Sequence, residues 1–320
     1  HYKLPVHSKN FINYPFIANN IKKILNNNNI NIAHVRSRGP AWILRFVNTE
    51  NIKTISTFHN VYSGNSFIKK IYNKQLANVD RIVAISNYVK NEIINKYNIN
   101  KKNVEVINRG VDVNYYEKQL SENDIKNFSN KISIDPYKKI ILYPSRLTNW
   151  KGHLEFLDVF KKINNEKLIL FFVGDTKNQS YTRRVQNKIN ILNLNDKCKI
   201  IGNLNKHDLK IMFYLSSIIV SFPLQPEGFG RIISEALIMR KKILAFNYGG
   251  VKDQLNDLEN IYKAKPLKYD DLHLKLLNLL NLEDEKFINI SSSSKDHIIK
   301  HFSSEQMVKK YVNLYEQILL

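Results

Sequence analysis

Two open parallel sheets, each with helices against it, make up the α/β fold that this sequence predicts. The first observation behind this is that short apolar, β-branched runs alternate with longer helix-like stretches along almost all of the 320 residues. The second is that each strand candidate of the second half is followed by a polar or glycine-containing turn, the place where open parallel sheets hold ligands. The third is size: this length, with 43% hydrophobic residues, is enough for two cores and excludes disorder as the main state.

In the first part, strands are expected at 30–35, 53–58, 81–85 and 104–107. Ser86 suits the N-cap of a helix that carries Val89, Ile93 and Tyr97 at four-residue spacing. Residues 108–137 are more acidic and less apolar and close on Asp135-Pro136, which makes them the connection and sets the first domain at 1–137. The second domain, 138–301, has strand candidates at 140–144, 167–173, 199–201, 218–222 and 242–246. Its helices include 153–163, 206–215 with Leu209, Met212 and Phe213 on one face, and 231–239. The serines 291–294 suit a surface loop or a helix lead-in. Residues 302–320 form an amphipathic helix, with Met307, Val308, Tyr311, Leu314, Tyr315 and Ile318 at helical spacing, expected to pack back toward the first domain.

Cys198 is the single cysteine, so no internal disulfide forms, and no Cys/His cluster has zinc-ligand spacing. A reducing, cytoplasmic setting fits. No apolar run approaches the roughly 20 residues that span a bilayer. The formal net charge is +21, and the first 110 residues hold 17 basic against 4 acidic residues. Lys9, Lys22, Lys23, Arg36, Arg38, Lys69, Lys70 and Lys74 belong to that excess. Nucleic acid, an anionic membrane surface and phosphorylated substrates are competing explanations. A general over-use of Asn, Lys and Ile is a fourth.

The most informative segment runs Pro226-Glu227-Gly228-Phe229-Gly230-Arg231-Ile232-Ile233-Ser234-Glu235-Ala236, directly after a strand. A glycine-flanked turn that opens a helix exposes N–H groups suited to a phosphate. Glu235, eight residues after Glu227, returns toward the same place and offers an acceptor for sugar or ribose hydroxyls. The alternative is a tight turn in which the glycines only permit positive φ. A second segment, Tyr143-Pro144-Ser145-Arg146-Leu147-Thr148-Asn149-Trp150-Lys151-Gly152, brings a guanidinium and an ammonium that match a diphosphate, or are simply solvated. Asn247-Tyr248-Gly249-Gly250 makes a third turn.

Taken in order, Arg146…Lys151-Gly152, Val173-Gly174-Asp175, Ile201-Gly202, Glu227-Gly228-Phe229-Gly230…Glu235-Ala236 and Gly249-Gly250 resemble the retaining glycosyltransferase family 4, and the resemblance covers nearly the whole chain. His34 to Trp42, Thr57-Phe58-His59-Asn60 and Asn108-Arg109-Gly110-Val111-Asp112 look like that family's acceptor-side segments, similar to bacterial members of lipopolysaccharide or cell-surface glycan assembly. The resemblance implies the GT-B architecture, two Rossmann-like domains facing across a cleft. It also implies that Arg146 and Lys151 bind the donor diphosphate over the turn Gly228, Phe229 and Gly230, and that Glu235 holds the ribose. Glu227 and His59 are implied beside the migrating sugar, and Arg36 and Arg38 are the candidates for acceptor binding. Asn60 stands where the family usually has Gly, and Arg109 where it usually has Asn.

The implied reaction moves a sugar from a nucleotide sugar to a hydroxyl of a glycan or glycolipid with retention, at or near the inner membrane face, with no cofactor and no metal. Positioned cations and N–H dipoles stabilise the leaving diphosphate, and that phosphate takes the proton of the incoming hydroxyl. A basic nucleic-acid-binding protein and a nucleotide-sugar epimerase are the rivals; the first lacks any recognised reading module, so nucleic acid is not the expected partner. The family comparison also implies roughly 50–60 residues ahead of His1, because a strand, a glycine-rich turn and a helix normally precede a segment like Leu4-Pro5-Val6-His7-Ser8-Lys9-Asn10. The first domain is accordingly expected to lack its first strands.

Overall fold

The structure is a computed structural model that describes residues 1–6, 10–47, 51–62 and 66–320; Lys9 and the His7-Ser8-Lys9 part of the opening segment lie outside the described residues. Two compact units are present: His1–Arg109 together with Glu305–Leu320, and Gly110–Ser304.

The first unit contains α1 (Tyr14–Asn27), β1 (Ile32–Val35), α2 (Arg38–Leu44), β2 (Lys53–Phe58), α3 (Phe67–Lys74), β3 (Arg81–Ala84), α4 (Asn87–Tyr97) and β4 (Val104–Val106). Its strands form a parallel sheet in the order β1-β2-β3-β4. In β2 every residue after Lys53 is buried, as in a parallel strand covered on both faces. The two faces follow the period of two. Ile55 packs with Val83, Ile107, Leu314 and Ile318, so the last helix of the sequence, Ser304–Leu319, covers this face; Ser56 points the other way and donates to the Leu76 carbonyl at 2.5 Å. Ser86 caps α4 by accepting the Val89 N–H at 3.1 Å, and Val89, Ile93 and Tyr97 are buried.

The second unit runs α5 (Val113–Glu117), α6 (Glu122–Lys131), β5 (Lys139–Pro144), α7 (His153–Lys162), β6 (Leu168–Val173), α8 (Gln179–Ile191), β7 (Cys198–Gly202), α9 (Lys206–Leu215), β8 (Ser216–Ser221), α10 (Arg231–Ile238), β9 (Lys242–Phe246), α11 (Val251–Leu255), β10 (Lys263–Ala264), α12 (Tyr269–Asn281) and α13 (Asp284–Phe302). Its six-stranded parallel sheet has the order β10-β9-β8-β5-β6-β7. Alternate strand residues, Ile141 and Tyr143, Leu170 and Phe172, Val220 and Phe222, Leu244 and Phe246, share one core with the apolar stripes of α7, α8 and α12. Burying a side chain of this size contributes about 1.5–3 kcal/mol. Met212 and Phe213 of α9 and Ile233 and Leu237 of α10 are also buried, and those helices pack against β5, β8 and β9.

Two expectations are corrected. The serines 291–294 lie inside α13 rather than in a loop. Ser291 and Ser294 face inward and donate to the carbonyls of Ile288 at 2.8 Å and Ile290 at 2.7 Å, which satisfies a hydroxyl within a helix. The connection at 108–137 carries α5 and α6, and from Gly110 on it belongs to the second unit. The buried Lys210 of α9 holds it there, donating to the carbonyls of Tyr115 at 2.6 Å and of Lys118. Among the described residues no helix is long and apolar enough to cross a membrane.

Candidate functional site

In the second sheet the chain proceeds from β5 outward through β6 and β7, then returns to the other side of β5 with β8. The connections after β5 and β8 therefore diverge, and the crevice between them at the strands' C-terminal ends is where an open parallel sheet binds ligand. Both informative segments fall there: 145–152 follows β5 and 222–230 follows β8.

A buried phenol ties the two together. Tyr143 donates to the Lys151 carbonyl and accepts the Phe222 N–H at 3.0 Å, and the Leu224 N–H donates to the Trp150 carbonyl at 2.7 Å. The backbones approach so closely that two positions must be glycine. Gly152 has φ +78°, and a Cβ on it would overlap the Phe222 carbonyl; a Cβ on Gly250 would overlap the Gly228 carbonyl. The Gly250 N–H donates to the Glu227 carbonyl at 2.8 Å, so the turn after β9 supports the turn after β8.

On this frame Lys151 and Glu227, far apart in sequence, form an ion pair, each side chain 13% exposed, with the ammonium 4.4 Å from the centre of the Trp150 ring. Arg146 is exposed, and among the described residues it has no ion-pair partner. Its neighbours are fixed: Leu147 N–H donates to the Asp175 carbonyl at 2.9 Å, and Ser145 Oγ lies 2.9 Å from Nε2 of the fully buried His153. Burial, with the Lys151 charge beside it, lowers the His153 pKa to about 3, so this imidazole is neutral.

The turn itself presents donors. Among the described residues the N–H groups of Gly228, Phe229 and Gly230 have no protein acceptor, while the carbonyls of Phe229 and Gly230 accept from Gln254 Nε2 at 2.6 and 3.2 Å. The Phe229 side chain is buried against Phe302, ring centres 6.0 Å apart, so what this residue offers a ligand is its backbone. The structure does not pair Glu235 with Glu227 or Lys151. Glu235 is 5% exposed on α10, and its Oε1 accepts from Arg231 Nη2 at 2.8 Å and Nε at 3.2 Å. Nearby, burial and the Glu235 charge raise the Tyr116 phenol.

In the first unit, the C-terminal ends of β1 and β2 hold a basic cluster. His34 uses both ring nitrogens, Nδ1 at 2.7 Å from the Tyr315 hydroxyl and Nε2 at 2.7 Å from Thr57 Oγ1. His59 Nδ1 lies 3.4 Å from the Arg109 guanidinium. Burial lowers both histidines to about 4, helped by Arg36 at His34 and by Arg109, Arg36 and His34 at His59. The two candidate arginines differ. Arg36 is exposed, whereas Arg38 donates to Asn73 Oδ1 at 2.8 Å and lies 4.3 Å from the centre of the Tyr62 ring.

Sequence reasoning assigned no role to Tyr143, His153 or Gln254, which brace the loops from below. The one available signal is a polar side chain beside a strand end or a glycine turn: a tyrosine next to the end of the run 140–144, a histidine directly after Lys151-Gly152, and a glutamine shortly after Gly249-Gly250.

Residues 124–295 match the family described as Glycosyl transferases group 1, and residues 1–115 match Glycosyltransferase Family 4. The fold is similar to that of a glycosyltransferase from Rickettsia africae, with a TM-score of 0.87 and 32% identity over 98% of this chain and 83% of that one. Anabaena HepE, solved with UDP and glucose, has the same fold at a TM-score of 0.81 and 18% identity over 94% of this chain and 81% of that one. An uncharacterized glycosyltransferase of Methanocaldococcus jannaschii is 24% identical over 74% of this chain; the match spans 60% of that protein's length.

Proposed function

Because the chain belongs to the group 1 glycosyltransferases, we propose that it moves a sugar, with retention and without a metal, from a nucleotide-diphosphate sugar to a hydroxyl of a glycan or glycolipid. The observation that carries this reading is the turn at Gly228–Gly230: three N–H groups without acceptors among the described residues, next to the Lys151–Glu227 pair and in the segment joining β8 to α10. Such a set suits a diphosphate.

As the glycosidic bond breaks, the leaving diphosphate gains charge. Arg146 and Lys151 neutralise it, and the turn donates to it. Before donor binds, Glu227 occupies Lys151; a diphosphate that takes over the ammonium frees that carboxylate to accept hydroxyls of the donor sugar. Glu235, oriented by Arg231, is assigned to the ribose. His59, neutral at pH 7, offers one hydrogen bond without adding positive charge near an anomeric carbon that is itself becoming cationic. The leaving phosphate takes the acceptor hydroxyl's proton. Arg36 serves the acceptor side, and Arg38 serves it indirectly by bracing the loop that carries Tyr62. UDP bound to HepE supports a uridine nucleotide as the first donor to try. The acceptor class, lipopolysaccharide or another bacterial surface polysaccharide made at the cytoplasmic membrane face, fits the basic first unit better than nucleic acid does.

The test is a panel of nucleotide sugars followed by thermal stabilisation and by release of free nucleotide. Stabilisation by at least one of them, lost in Arg146→Ala, is expected. A protein that no nucleotide sugar stabilises or loses to hydrolysis overturns the reading, and inversion in an isolated product overturns its stereochemical part.

A further inference from the structure

Where a helix ends and the chain turns back through positive φ, glycine is the favoured residue. α10 is followed by an arginine there instead. Arg240 has φ +52°, its N–H donates to the Leu237 carbonyl at 3.0 Å, and the Lys241 N–H donates to the Ala236 carbonyl at 3.0 Å. Among the described residues it is the one charged side chain held at positive φ, a conformation that strains a bulky residue and not a glycine. A second irregularity lies beside it. β5 pairs Ile140 with Ser216 and Ile141 with Ile218, so Ser217 is an extra residue with no partner on β5.

Arg240 and Ser217 line one cavity of about 280 Å³ at the N-terminal ends of β5, β8 and β9, the end of the sheet opposite to the glycine turns. Lys139, Lys241 and Lys242 share its wall, and Leu280 and Phe287 form an apolar side. Two of the lysines have backbone to satisfy: Lys241 donates to the carbonyls of Tyr214 and, at 3.2 Å, Ser216, and Lys242 to that of Leu282 at 2.8 Å. Lys139 and Arg240 have no such duty. Both are exposed, and among the described residues neither side chain has a hydrogen-bond or ion-pair partner. Asp284 is the one carboxylate in the wall, and it is taken by Lys242 at 3.4 Å.

We propose that this cavity binds the phosphate group of a small soluble phosphate ester, with Arg240 and Lys139 neutralising it, Ser217 donating to it, and the organic part resting on Leu280 and Phe287. Charge selects the ligand: two unpaired cations match a dianion, whereas a carboxylate would leave one of them unmatched. A guanidinium adds shape, because its fork meets two oxygens of one phosphate. The site goes beyond the proposed function and does not rest on it, since the turns assigned to the donor lie at the other end of the strands.

The experiment is equilibrium dialysis of the full chain against radiolabelled glycerol 3-phosphate, with ionic strength held constant by sodium chloride. Saturable binding is expected, without competition from acetate at the same concentration. Arg240→Gly, which relieves the backbone and so is compatible with folding, raises the Kd at least about tenfold, the loss of one charge-assisted bond. Lys139→Gln, at an exposed position, shifts it in the same direction. Arg146→Ala, the control for the donor turns, keeps the wild-type Kd. No saturable binding by the wild type, equal competition by acetate, a wild-type Kd in both Arg240→Gly and Lys139→Gln, or binding that is lost in Arg146→Ala would each overturn the proposal.

Discussion

Removing Lys151 and removing Arg146 have different expected consequences, although both cations are assigned to the same diphosphate. Lys151 is mostly buried against Glu227. Lys151→Ala leaves a carboxylate largely out of water without its partner, so it costs about 1–3 kcal/mol of stability as well as donor use. The double variant Lys151→Met/Glu227→Gln recovers most of that stability but not the activity, which chemical denaturation beside kinetics measures. Arg146 is exposed, so Arg146→Ala leaves stability within about 0.5 kcal/mol of wild type. Its kcat/KM falls about 10- to 150-fold, as expected for one charge-assisted bond to a phosphate. Equal denaturation midpoints for the two single variants would contradict this distinction.

At the scale of elements, the loops after β5 and β8 are held from beneath rather than by one another's charged tips. Tyr143→Phe removes the hydroxyl that joins the Lys151 carbonyl to the Phe222 N–H, so a destabilisation of about 1–3 kcal/mol is expected with a rise in KM for the donor. Gly250→Ala is expected to do more damage, since its Cβ meets a backbone carbonyl that cannot rotate away. His153 gives the second unit an acid sensitivity. Its pKa in the fold is about 3, against 6.5 when unfolded, so between those values the unfolded chain binds the extra proton. Stability is therefore full above pH 6.5 and declines as the pH falls toward 3, by up to about 1.4 kcal/mol per unit from this one group. His34 and His59 add the same sign between 6.5 and about 4. Urea midpoints at pH 7.5 and pH 5 check this, with a shallower decline expected in His153→Gln; equal wild-type midpoints would exclude it. The strands were legible in the sequence because parallel strands covered on both faces read as unbroken apolar runs, as in Leu168–Val173, and the glycine turns because backbones that approach as closely as they do at Gly152 and Gly250 leave no room for a Cβ. What was not legible depends on tertiary pairing. No local pattern marks that Lys151 meets Glu227, that Arg38 is bound to Asn73, or that four successive serines can lie within a helix whose inner face tolerates hydroxyls bonded to their own backbone.

For the whole molecule, the first unit depends on residues from both ends of the sequence. Leu314 and Ile318 pack with Ile55, Val83 and Ile107, and Tyr311 and Tyr315 reach Thr57 and His34. Leu314→Ala should cost about 2–5 kcal/mol, and calorimetry should show the loss in one of two unfolding transitions, that of the first unit. A single transition shifted as a whole would argue against independent units. The arrangement also sets an order of events during synthesis. Residues 110–304 are contiguous and can close their core as soon as they have left the ribosome, whereas the earlier-made sheet waits, incompletely covered, until residues 305–320 arrive. The sheet made before residue 110 is thus completed after the core of residues 110–304, and while it waits its apolar strands are incompletely covered. Losing residues 304–319 would then harm the sheet of β1 to β4, some two hundred residues away in sequence.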